Sequence, residues 1–198
     1  MKPWPCCRHT HPAIDAALEL HRELGNAAVH RVVVGTYKAA IDICDRPRPQ
    51  EPYAAKFSLQ HCVAVALGEG EVVQSSFNAE ARERVAAEMA KVELVVSPET
   101  DAAYPKSWGA EISVEMKDGR TFRAVRREAK GDPENPVDSN ELSAKGRTLL
   151  AEGGLSAAEA DKLIAAILGL AEDRPVRDLR LFMRDGAERR PSQMAPGA

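Results

Sequence analysis

The stretch "AEISVEMKDGRTFRAVRRE", Ala110 to Glu128, decides the fold. Ile112, Val114 and Met116 alternate with polar residues, Asp118-Gly119 supplies turn chemistry, and a second alternating run follows. The pattern predicts a β-hairpin, so at least part of the sheet is antiparallel. Upstream, "VELVVS" and "AVHRVVVGTYKAAI" read as further strands, the latter starting near Val29.

Between these strands lie helical patterns. Pro12 suits the first position of a helix over residues 12 to 24, with Ile14, Ala17, Leu18, His21 and Leu24 on one face and Gly25-Asn26 closing it. The run "AAKFSLQHCVAVAL", residues 54 to 67, is apolar on nearly every side and predicts a helix inside the core. "SSFNAEARERVAAEMAKV" predicts another, capped by Ser76 or Asn78. After the breaking loop "KGDPENPVD", two helices are expected. The first covers about 139 to 152 and the second opens with the capping box Ser156-Ala157-Ala158-Glu159. The tail from Arg184 is expected to be disordered. Strands and helices mix without a regular βαβ rhythm, which makes the fold class α+β with two helices appended.

Composition narrows the function. The chain has 198 residues, 44% of them hydrophobic, and a net charge of −3 with both signs interspersed. That mixture lacks the basic stripe nucleic acid requires. No run approaches the roughly 20 apolar residues of a membrane helix, and no hydrophobic signal segment opens the chain, so a cytoplasmic location is expected. Cys6, Cys7, Cys44 and Cys62 match no disulfide framework and are read as reduced thiols.

"KPWPCCRHTH", Lys2 to His11, concentrates candidate chemistry. A structural zinc site wants four ligands in separated pairs, and adjacent Cys6-Cys7 converge poorly on one ion, so no metal is expected. His11 stands beside a helix N-terminus, where free N–H groups and the dipole favour an anion, and Arg8 and Lys2 add positive charge. The segment therefore suits a carboxylate, although His11 as a simple helix-terminal residue and Arg8 as a solvated cation fit the same letters. His61, flanked by Phe57 and Ala64, is expected to be desolvated and neutral. A lone buried histidine is more often a satisfied core group than an acid or base.

Four segments in order resemble the C-terminal half of MmgE/PrpD proteins: "KPWPCCRHTHPAIDAAL", "AKFSLQHCVAVAL", "YPKSWGAEISVEMKDGRTF" and "AKGDPENP". The resemblance spans residues 2 to 182. That family includes 2-methylcitrate dehydratase, cis-aconitate decarboxylase and iminodisuccinate epimerase. It implies an α+β lid domain over residues 1 to 130 and helices over 137 to 182 that return to a large helical domain. In family members, which are more than twice this length, that helical domain precedes the lid. It also implies proton or carboxylate removal next to a carboxylate-stabilised carbon, without metal or organic cofactor.

By position, the family's lid lysine falls on Lys2 and a second motif histidine on His11. A histidine of the decarboxylase branch falls on Cys7 and its tyrosine on His61, so the decarboxylase pattern is not reproduced. The resemblance assigns Lys2, Cys7 and His61 as candidate catalytic groups and Arg8 and His11 as candidate substrate ligands. The expected substrate is a small di- or tricarboxylic acid. The expected partner is a separate chain supplying the helical domain, or a second copy of this chain. The alternative is a non-catalytic remnant that binds a ligand or oligomerises; in either case the apolar faces of the last two helices point to association.

Overall fold

The structure, a computed structural model, describes residues 1–25, 28–172 and 175–176, so the tail expected from Arg184 lies outside the described residues. The chain divides into two compact units, Met1–Val137 and Asp138 onward.

In the first unit, four strands form one mixed sheet: β1 (Val29–Thr36), β2 (Val92–Val96), β3 (Ala110–Met116) and β4 (Thr121–Arg126), in the spatial order β2-β1-β3-β4. The expected hairpin is β3 and β4, paired antiparallel from Ala110↔Arg126 to Glu115↔Thr121. Gly119 takes a φ of 87° in its turn, a conformation that a Cβ would disfavour. β1 pairs antiparallel with β3 and parallel with β2. A parallel pair needs a long crossover, and residues 37–91 supply it.

That crossover holds what the periodicity missed. The strand ends at Thr36, and Tyr37 turns the chain into α2 (Lys38–Cys44), which follows α1 (His11–Leu24). The helix expected over 54 to 67 is two pieces, α3 (Pro52–Ala55) and α4 (Leu59–Glu69). Ser58 divides them, because its side chain accepts from the His61 N–H and caps α4. Asn78 caps α5 (Ala79–Arg84), which runs into α6 (Ala86–Met89) before β2, and α7 (Pro98–Ala103) follows β2.

One face of the sheet is covered by α1 and α4. Val32, Val34, Ile112, Val114, Met116 and Ala124 point into this layer, and Ile14, Ala17, Leu20, Leu59, Val63 and Ala66 meet them from the helices. Leu59 to Ala66 are all buried, as an all-round apolar helix requires. Arg126 of β4 pins α1 laterally through ion pairs to Asp15 and Glu19, one helical turn apart.

The second unit contains α8 (Ser139–Glu152) and α9 (Ala157–Leu168), each opened by a capping box, at Asp138/Glu141 and Ser156/Glu159. They pack together where Gly146 meets Ile164 and Ala160 is buried, and Arg147 bonds Asp161 at 2.6 Å. Leu149, Ile167 and Leu168 are about half exposed.

Candidate functional site

Residues 1–7 lack regular structure, and a 3-10 turn at Arg8–Thr10 leads directly into α1. Pro12 fits this entry because its missing N–H costs nothing in the first helical turn. The segment is fixed by its backbone: the Cys7 N–H donates to Lys56 O at 2.9 Å, and the Thr10 N–H and hydroxyl both donate to Cys7 O. Lys2 donates from Nζ to Cys6 O at 3.3 Å, so its ammonium lies over the same loop.

Arg8 and His9 face a cluster of aromatic rings. The Arg8 guanidinium sits 4.1 Å from the centroid of Trp108 and pairs with Asp132, which is 9% exposed. His9 stacks on the other member of this contact, Trp108, at 4.6 Å, and its Nδ1 lies 2.8 Å from the Tyr37 hydroxyl. Tyr37 stacks in turn on Tyr104 at 4.5 Å. Burial and the neighbouring Arg8 charge hold the His9 imidazole below the usual histidine range. The arrangement is a rigid aromatic platform carrying one oriented guanidinium, which matches carboxylate geometry.

Cys6 and Cys7 diverge. Cys6 is buried against Cys62 of α4, Thr10 and His11, while Cys7 is half-buried against Cys44 at the end of α2. All four cysteines are free thiols, and among the described residues no three His, Cys, Asp or Glu side chains gather as a metal ion needs. The Cys44 thiol, then the His9 N–H and the Lys2 ammonium, hold Cys7 down to about 6 against its partial burial.

The two remaining candidates face inward. His11 opens α1, is 1% exposed, packs on the edge of Trp4 at 5.2 Å, and leaves Nε2 without a hydrogen-bond partner. His61 is fully buried at the third position of α4, against Phe77. Its Nε2 lies 2.8 Å from Ser76 O; a carbonyl only accepts, so Nε2 carries the proton and unpartnered Nδ1 the lone pair. Lys2, Cys7 and Arg8 therefore share one loop, whereas His61 lies in the interior behind it.

Burial holds the His61 imidazole below its usual range. Below about pH 6.5 the unfolded chain takes up a proton at this position that the folded chain refuses, so stability falls with pH there. The unfolding midpoint of His61→Gln is expected to drop less than that of the parent between about pH 7 and pH 5. His9 shifts in the same direction, so the measurement is the difference between the two proteins. Parallel pH profiles would remove His61 as the origin.

Fold and site define an α+β domain whose N-terminal segment offers cations beside a stacked aromatic platform. The family model of the MmgE/PrpD C-terminal domain matches residues 4–170, and the chain belongs to the MmgE/PrpD family. None of the curated proteins matches the chain. The match covers the opening segment from Trp4, the Tyr104–Trp108 motif and the Asp132 loop. Of the platform, His9, Tyr37, Tyr104, Trp108 and Asp132 were not picked out individually by sequence reasoning. All but Tyr37 did lie inside the motifs that carry the resemblance.

Proposed function

We propose that the first unit is the lid side of a cofactor-independent MmgE/PrpD-type lyase or isomerase acting on a small di- or tricarboxylic acid. The observation that carries this reading is Arg8. Its guanidinium is oriented by Asp132 and Trp108 together, and its side chain is 38% exposed, so a donor edge remains for a ligand carboxylate. Lys2 adds a second cation on the same loop. Both would bind substrate carboxylates and stabilise negative charge as it develops on them.

Cys7, whose thiol is held below its ordinary range by Cys44, the His9 N–H and Lys2, is the group on this loop suited to accept a proton from the carbon beside a carboxylate. Returning that proton to another carbon face completes an epimerisation; expelling a β-leaving group completes an elimination. His11 serves from behind as a positioning residue. A catalytic part for His61 would run through its buried Nδ1, since Nε2 is taken by Ser76 O.

The remaining groups are assigned to a helical domain on a second polypeptide. The half-exposed Leu149, Ile167 and Leu168 of the second unit favour association, which a non-catalytic oligomerising module would share. Co-expression with an all-helical companion chain is expected to give a complex that turns over a di- or tricarboxylate. Neither complex nor turnover across citrate-like acids would reject the enzymatic reading.

A further inference from the structure

The 3-10 turn that follows Cys7 packs on α2, and this brings together two thiols that are far apart in sequence. The Cys7 and Cys44 side chains are neighbours, each perturbing the other's thiol, and neither is in a disulfide. They differ in access: Cys7 is half-buried at the surface of the site loop, while Cys44 is fully buried beneath it. Directly beside them, Cys6 and Cys62 form a second contact in which both thiols are buried. The fold thus holds one sulfur pair that an oxidant can reach from one side, next to one it cannot reach.

We propose that Cys7 and Cys44 are a peroxide-sensitive dithiol, which closes to an intramolecular disulfide and withdraws the Cys7 thiol from the candidate site. The Cys7 sulfur attacks one oxygen of hydrogen peroxide and breaks the O–O bond. This gives a sulfenic acid, and the departing hydroxide takes a proton to become water. The Cys44 sulfur then attacks the Cys7 sulfur, forming the S–S bond and expelling a second hydroxide, which takes the Cys44 proton to become water. Two thiols are oxidised and one peroxide is reduced to two waters.

The groups facing Cys7 suit each half of this sequence. The Cys44 S–H, the His9 N–H and the Lys2 ammonium favour its thiolate; partial burial and the neighbouring Cys6 oppose it. Cys44, surrounded by Cys7, Cys6 and low-dielectric core, is held as the protonated thiol until the sulfenic acid gives it a target. The backbone bonds of Cys7 to Lys56 and Thr10 fix the main chain that carries its thiol.

The test uses the full chain, reduced, freed of reductant, exposed to hydrogen peroxide, then alkylated and mapped by peptide mass spectrometry. The expected result is loss of both the Cys7 and Cys44 thiols. A peptide containing Cys44 should be joined to the N-terminal peptide, with fragmentation placing the link at Cys7 rather than Cys6. Cys62 should be recovered as free thiol, and dithiothreitol should restore all four. In Cys44→Ala the sulfenic acid has no partner, so dimedone labelling of Cys7 is expected to rise; in Cys7→Ser, Cys44 should stay unoxidised. The proposal is overturned by a Cys6–Cys62 or interchain link. It is equally overturned if Cys7 is recovered intact under peroxide that oxidises glutathione in the same tube. Neither outcome depends on turnover, so it stands or falls apart from the enzymatic reading.

Discussion

Truncating Tyr37 to alanine is expected to cost the first unit about 3–5 kcal/mol of stability, the range for removing a large buried ring. Tyr37 is fully buried, stacks on Tyr104, leads into α2 and holds His9 through its hydroxyl. Tyr37→Phe keeps the ring and loses only the hydroxyl contact, for which about 0.5–1.5 kcal/mol is expected. Trp4 and Trp108, the chain's two tryptophans, both lie in the first unit, so fluorescence during urea unfolding reads that unit alone. If alanine and phenylalanine destabilise equally, ring packing is not what holds the platform.

The second large effect is expected at Arg8. Arg8→Ala should weaken binding of a citrate-like acid by about 10- to 150-fold, the equivalent of about 1.5–3 kcal/mol for a hydrogen bond to a charged group. Arg8→Lys should fall between, because an ammonium keeps the charge but neither forks onto a carboxylate nor stacks on Trp108 as a planar group. Arg8→Ala also strands the nearly buried Asp132 carboxylate, so some stability is lost for a reason unrelated to ligand. Adding Asp132→Asn separates the two: stability should recover while binding stays weak. Calorimetric titration of the single and double variants checks both, and recovered binding in the double variant would remove Arg8 as a ligand contact.

Legibility in the sequence followed the range of the interaction. The hairpin β3–β4 and the capped helices α8 and α9 are written in neighbouring residues: alternation around Asp118-Gly119, and Asp138 and Ser156 just before apolar periodicity. α2 escaped because Ala39, Ala40 and Ile41 continue the apolar run of the preceding strand, and only Tyr37 marks the change. Ser58 was read as one residue within a helix, yet its hydroxyl starts a new one. In the site, the opening loop was legible because Lys2, Cys7 and Arg8 are adjacent in sequence. Its supports were not, since Arg8 finds Asp132 and His9 finds Tyr37 only after the sheet has formed. Likewise, nothing local distinguishes Cys6 from Cys7, although one faces α4 and the other α2.

The position of β1 sets an order of events for the chain. Val32 pairs with Val92 on one side and with Val114 on the other, so the strand has no neighbour until β2 exists and only one until β3 follows. Closing these long loops precedes any reward from strand pairing, which is the hallmark of high contact order and slow folding. During synthesis, Val32, Val33 and Val34 therefore stay unpaired until residues 92–96 have emerged and keep one open edge until residues 110–116 follow, a period in which intermolecular pairing competes with folding.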